Sequence, residues 1–311
     1  MKGDRMRIGT RGSELALTQS RYVRSLLGGT DADIPLEIIT TSGDKFAEAS
    51  LSRIGGKGLF TKEIEDALLA GRVDLAVHSL KDLPTENPPG LVVAALLVRE
   101  DPRDALVSRG GLGLAALPKG ARVGTSSLRR RSQILARRPD LVVEELRGNV
   151  PTRVKRVEEG RFDAVVVAAA GLRRLGLADR ITETIDEEIM LPAPGQGVLG
   201  IQTRADDAAT IAALRRLHDP VAAAEATAER SFLAGLGGGC LVPVGARGHV
   251  SGDTIRLTGF VGHPSGRPSV RRAAEGPVAT AAEIGRALAE VALAQGAREI
   301  LAEVRSDEVF P

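Results

Sequence analysis

Short apolar runs alternate with helix-patterned stretches through the first 171 residues, and this alternation is what most narrows the possible folds. "RMRIGT" (5–10), "LEIITT" (36–41), "VDLAVHS" (73–79) and "LVVAALLV" (91–98) read as strands. Between them, Ser13 is placed to cap the helix "ELALTQSRYVRSLL", and "LFTKEIEDALLAG" (59–71) is a helix that stops at Gly71. The order βαβαβ predicts a mostly parallel sheet with helices on its faces. The pattern then repeats: a strand over 121–126, the helix "LRRRSQILARR", the strand "LVVEEL", a helix opened by Pro151, and the strand "DAVVVAAAG". A Pro/Gly-rich return segment follows over 189–204.

The last stretch has a different grammar. A helix over 222–236 leads into a glycine loop, two strand-like runs ("VGARGHV", "TIRLTGFV") follow, and a long helix closes the chain. This predicts a small α+β domain. With no Trp, one Tyr and six Phe among 311 residues, the cores must be aliphatic.

Charge narrows the function. The net charge is only +2, yet residues 121–180 hold thirteen Arg, one Lys and seven acidic residues. Arginine offers a planar fork that fits carboxylate or phosphate, so the cluster implies an anionic ligand. Nucleic acid is disfavoured, because single-strand binders add stacking aromatics and this chain has almost none. No run of about eighteen apolar residues occurs, so no membrane span is expected. The N-terminal "MKGDRMRIGTRG" lacks an apolar core of secretion-signal length, which points to the cytoplasm. The four His are scattered and the one Cys has no partner at zinc spacing, so no metal site is expected.

Several short runs could carry chemistry. In "VHSLKDLP" a buried strand ends at His78, Lys81 and Asp82. Ligands of parallel sheets bind outside the carboxyl ends of strands. "GTSSLRRR" (124–131), "LRGNVPTR" and "AGLRRLGL" put Arg129, Arg130, Arg147, Arg153, Arg173 and Arg174 at three successive strand ends, a lining that suits a ligand with several acid groups. "GTRGSELAL" sets Arg11 and Ser13 at the matching edge of the first region. "RIGGKGLFTKE" (53–63) lacks Walker spacing and reads as a flap over a cleft. Ordinary charged turns and capped helices with solvated basic faces would give similar strings. Cys240, the sole sulfur of a cysteine residue, follows Gly237, Gly238 and Gly239, which leave room for something bulky. A two-lobed solute-binding or sensor module would share the arginine lining, without needing Asp82 or Cys240.

Eight of these motifs occur in one order: "RIGTRGSELAL", "GGKGLFTKEIE", "VHSLKDLP", "GTSSLRR", "LRGNVPTR", "AGLRRLGL", "PAPGQGVLGIQ" and "GGGCLVPVG". Together they resemble the porphobilinogen deaminase (hydroxymethylbilane synthase) family over residues 5 to about 300. The resemblance implies an α/β fold of two periplasmic-binding-protein-like lobes with mostly parallel sheets, plus a small α+β C-terminal domain. It divides the chain into 5–98 plus 198–217, 99–197, and 218–311. It also implies a dipyrromethane cofactor joined to Cys240 by a thioether, and a transferase that adds four porphobilinogen units to this primer. Asp82 matches the catalytic aspartate. Cofactor contacts fall on Lys81, Thr125, Ser126, Ser127, Arg129, Arg130, Arg147 and Gly148. Contacts to porphobilinogen and the growing oligopyrrole fall on Arg11, Ser13, Lys57, Phe60, Arg147, Arg153, Arg174 and Gln196. The family pattern further suggests a monomer. Arg53, Pro151 and Leu241 depart from residues frequent at those places: lysine, glycine and glutamine.

Overall fold

The computed structural model describes residues 6–45, 61–238 and 242–306. The glycine run 53–60 of the expected flap, with Arg53, Lys57 and Phe60, and also Cys240 and Leu241, lie outside the described residues. The chain divides into two compact units, Met1–Glu100 with Val198–Ala223 and Asp101–Gly197 with Ala224–Pro311.

The first unit is built on β1 (Ile8–Thr10), α1 (Glu14–Leu26), β2 (Leu36–Ile38), the short α2 (Ser42–Lys45), α3 (Lys62–Leu69), β3 (Leu75–Ser79) and β4 (Leu91–Leu96). Ser13 caps α1 as expected, its Oγ accepting from the Ala16 N–H at 3.3 Å. Gly71 follows α3 with φ +66°, in keeping with a helix stop. Residues 199–204, expected only as a return segment, form a strand, β10 (Leu199–Arg204). It slots between β3 and β4, antiparallel to both, to give the sheet order β2-β1-β3-β10-β4. One face is covered by Ile8, Val23, Leu75, Leu97 and Ile201, the other by Ile64, Leu68, Val73 and Ala76.

The second unit repeats this plan with β5 (Asp104–Ser108), β6 (Arg122–Gly124), α4 (Leu128–Arg137), β7 (Val142–Glu144), α5 (Val150–Glu158), β8 (Ala164–Ala168), α6 (Ala169–Arg174) and β9 (Glu183–Thr184). The order is β7-β6-β8-β5-β9, and β5 again runs antiparallel inside an otherwise parallel set. Ser127 caps α4 and Asn149 caps α5, accepting from Arg130 N–H and Thr152 N–H. Pro151 sits in the first turn of α5, where its missing N–H costs nothing.

After α7 (Ala208–Leu214), helix α8 (Pro220–Gly235) runs toward the C-terminal part. There β11 (Val244–Ser251), β12 (Thr254–Gly262) and β13 (Ser269–Pro277) form an antiparallel meander. The helices α8, α9 (Ala281–Ala292) and α10 (Arg298–Ser306) share a core with the sheet, through Phe232, Ile255, Leu257, Leu288 and Ile300. The closing helix expected from the sequence is broken in two at Gln295 and Gly296, where Gly296 takes φ +106°. Gly285 lets α9 approach α8 closely: a Cβ there would lie 2.3 Å from the Ala228 carbonyl oxygen.

Candidate active site

In the first unit, parallel strands deliver their carboxyl ends to one edge of the sheet. β3 ends in a single 3-10 turn, Leu80–Asp82. Leu80, the first residue of that turn, and Leu83, just after it, are buried, and Leu80 N–H donates to the Val198 carbonyl at 3.0 Å. Ser79, just before it, accepts from the buried Gln19 amide at 3.0 Å. The turn is therefore pinned from two sides while Asp82 itself is exposed, its carboxylate making no hydrogen bond or ion pair among the described residues. Lys81 beside it is partly buried.

Arg11, at the end of β1, lies at the same edge. Its guanidinium grips Asp44 with Nε at 3.1 Å, and Asp44 also accepts from Thr41 Oγ1 at 2.7 Å. Burial alone would raise the Asp44 carboxyl; Arg11 and Thr41 outweigh it and hold the group below its usual range. Ser13 serves the α1 cap, and its hydroxyl proton remains a donor. His78 is buried and pushed down to about 4, first by burial and further by the Arg11 charge, so the imidazole is neutral near pH 7.

The second unit assembles a cationic edge. β6, β7 and β8 end there, and β5, running the other way, begins there with Asp104 opposite Ala168. Asp104 has no exposed surface. Its Oδ2 accepts from Arg129 Nη1 at 2.6 Å, and its Oδ1 accepts from Arg130 Nη2 at 2.7 Å and Gln196 Nε2 at 2.9 Å. Arg129 also donates to the Leu191 carbonyl and Arg130 to the Val166 carbonyl. Burial would raise the Asp104 carboxyl, but the two guanidinium charges and their hydrogen bonds hold it far below the ordinary range. Two buried cations thus share one carboxylate, and the cluster keeps a net positive charge.

Around that cluster stand the other expected residues. Thr125 is buried; its N–H donates to the Glu144 carbonyl and its Oγ1 accepts from the Ser127 N–H. Arg153 reaches Ser126 Oγ at 3.4 Å and the Gly148 carbonyl at 2.8 Å. Arg147 pairs with Glu145 at 2.7 Å. Arg174 donates to the Gly197 carbonyl at 2.7 Å. Gly148 is at φ +107°, a turn that a side chain would strain.

The structure therefore brings Thr125, Ser126, Ser127, Arg129, Arg130, Arg147, Gly148, Arg153, Arg174 and Gln196 to one edge of one unit. Arg11, Ser13, Lys81 and Asp82 lie at one edge of the other. Asp44 and Asp104 were missed in the sequence. No local signal marks Asp104, because it opens an antiparallel strand, which brings its first residue to the edge where parallel strands end. A surface depression lined by Ser108, Arg109, Glu158 and Arg180 lies at the far end of β5, away from the arginine cluster. Among the described residues no group of three or more His, Cys, Asp or Glu is placed to hold a metal ion, and no helix is long and apolar enough to cross a membrane.

The α/β plan is repeated in two units, with an exposed carboxylate at the strand ends of the first and a desolvated cationic edge on the second, the kind of lining that suits an enzyme acting on an acidic ligand. Residues 6–212 match the family described as porphobilinogen deaminase, dipyromethane cofactor binding domain, and residues 223–294 match its C-terminal domain. The chain belongs to the porphobilinogen deaminase family. The porphobilinogen deaminase of Geobacter metallireducens is 50% identical over 311 residues, covering 99% of this chain and 98% of the relative. That of a Roseiflexus species (strain RS-1) is 52% identical over 297 residues, covering 95% and 98%. That of Brevibacillus brevis is 50% identical over 301 residues, covering 96% and 97%.

Proposed function

We propose that this chain links four porphobilinogen units head to tail with loss of ammonia, that Asp82 is its catalytic carboxylate, and that the arginine edge of the second unit holds the acid arms of the ligand. The observation that carries this reading is the buried Asp104–Arg129–Arg130 cluster with its uncompensated positive charge. A pyrrole with acetate and propionate arms fits such an edge, because each added unit brings two carboxylates that need partners away from water. The dipyrromethane cofactor fits the same donors; Arg129, Arg130, Ser127 and Arg147 would hold its carboxylates, and Cys240 would hold it by a thioether. When bound, the cofactor supplies the primer from which the chain grows.

The roles of the residues follow from their settings. Loss of ammonia from porphobilinogen leaves a cation on the pyrrole. An exposed carboxylate on a pinned turn is ready to face that charge without rearranging, which is where electrostatic catalysis gains most. A carboxylate displayed there would also serve as a base for a pyrrole proton. His78, neutral and buried, supports the strand and does not serve as an acid. Arg153 and Arg174 present guanidinium groups from the starts of α5 and the end of α6, to carboxylates of incoming units. The C-terminal part, from 218 onward, is the domain that carries the attachment cysteine. The protein works as a cytoplasmic monomer.

Intact-protein mass spectrometry tests the reading. Protein from cells that make porphobilinogen should exceed its sequence mass by one dipyrromethane, mapped to Cys240. An unmodified chain that turns over porphobilinogen would overturn it.

A further inference from the structure

We infer that Glu229, a buried carboxylate on α8, is a positioning residue for Gln196 and the arginine cluster, through the strap of residues 191–196. The inference rests on the family reaction, in which Gln196 contacts the ligand. Glu229 has no exposed surface. Its Oε2 accepts from the Gly195 N–H at 2.7 Å, and its Oε1 accepts from the Gly248 N–H at 2.9 Å. One carboxylate therefore ties three pieces of chain: α8, β11 and the residue before Gln196.

The strap is fastened on both sides. On one side the Leu191 carbonyl takes Arg129 Nη1 at 2.7 Å, and the Gln196 side chain donates to Asp104 at 2.9 Å. On the other, the Pro192 carbonyl accepts from the Ala246 N–H of β11 at 3.0 Å, and Glu229 takes Gly195. Gly195 and Gly197 both have positive φ, at +76° and +90°, so the backbone beside Gln196 has little side-chain packing of its own to fix it. A carboxylate accepts from both N–H groups at once. An amide in its place offers only one acceptor oxygen, and its NH2 faces an N–H. Losing Glu229 frees Gly195, and with it the direction of the Gln196 amide into the Asp104–Arg130 pair.

The neighbouring Glu225 is the natural control. It takes Arg247 Nη1 at 2.7 Å and the Val250 N–H at 3.4 Å, so it binds the same helix to the same strand, through an arginine that also lies 3.8 Å from Glu229. The test compares Glu229→Gln, Glu229→Asp and Glu225→Gln with the unaltered protein. Three quantities are read: deuterium uptake of the peptide covering 191–197, the fraction of chains carrying the dipyrromethane adduct, and KM against kcat for porphobilinogen. Glu229→Gln should speed exchange in 191–197 and either raise KM or lower the adduct fraction about tenfold, the scale of one lost charge-assisted hydrogen bond. Glu225→Gln should lower the melting temperature and leave exchange in 191–197, KM and adduct fraction within about twofold, below the effect of one such bond. If Glu229→Gln does not fold, Glu229→Asp, too short to span both N–H groups, takes its place with the same expectations. Unchanged exchange in a folded Glu229 variant overturns the inference, as does faster exchange with KM and adduct fraction both unchanged, or an equal loss in Glu225→Gln. An unaltered protein with neither adduct nor turnover would instead overturn the family reaction for this chain.

Discussion

Asp104→Asn isolates the role of the shared carboxylate. Asp104 is fully buried and receives donors from Arg129, Arg130 and Gln196 at 2.6, 2.7 and 2.9 Å. Asparagine keeps the volume, removes the charge and points an NH2 at a guanidinium. Two cations then lie in a desolvated edge without their counter-charge. Removing one partner of a buried pair costs about 3–5 kcal/mol. For a unit of this size each kcal/mol moves the melting point by about 2–4 °C, so the second unit should melt about 6–20 °C lower. Differential scanning calorimetry reads this directly, and added phosphate or a dicarboxylate should recover part of the loss by taking the carboxylate's place. The pH dependence has a definite sign. A depressed carboxyl contributes stability above its unfolded value and loses it as pH falls through the folded one. The Asp104 value lies far below the ordinary range, so the unaltered protein should hold this contribution until strongly acid pH, and Asp104→Asn should lack that acid step. A drop in melting temperature under about 2 °C, less than 1 kcal/mol, would show that the arginines are not held by this charge.

Other substitutions test single points. Asp82→Asn should fold with stability changed by no more than about 0.5 kcal/mol, since the side chain is exposed, and lose about 10²–10³ in kcat; near-normal turnover in a steady-state assay would exclude the proposed role. Arg147→Ala removes a partly exposed guanidinium that pairs with Glu145, so stability should change by no more than about 1 kcal/mol, while the adduct-bearing fraction in intact mass spectra falls. His78, depressed from 6.5 to about 4, makes the fold lose stability as pH falls through that window; the loss amounts to about 3 kcal/mol. His78→Gln should flatten urea-unfolding stability between those pH values, and a slope kept in the variant would assign the titration to another group.

The sequence showed the repeated βαβ grammar because buried parallel strands are continuous apolar runs and their helices carry Ser, Asn and Pro at the caps. It hid β5 and β10. "DALVS" and "LGIQTR" are short and mixed, and their place is decided by strands distant in sequence, not by local pattern. The break at Gly296 was equally hidden, because "ALAQGAREIL" keeps helical periodicity across the glycine. The arginine edge was legible as charge at strand ends. What organises it was not: Asp104 opens an unrecognised strand, and Asp44 acts through a fold-dependent pairing with Arg11. Glu229 looks like any acid in an alanine-rich helix until β11 and the strap are seen on its two oxygens.

The late insertion of β10 bears on how the chain is made. Sheet order in the first unit places residues 199–204 in the middle, with β3 on one side and β4 on the other. Before the ribosome has released residue 204, those two strands have raw edges facing each other and nothing to bridge them, a state prone to sticking to other chains. The second sheet, whose strands all fall between 104 and 184, has every partner in hand earlier. Synthesis from the N-terminus therefore leaves the half that is translated first to be finished after the sheet that is translated second.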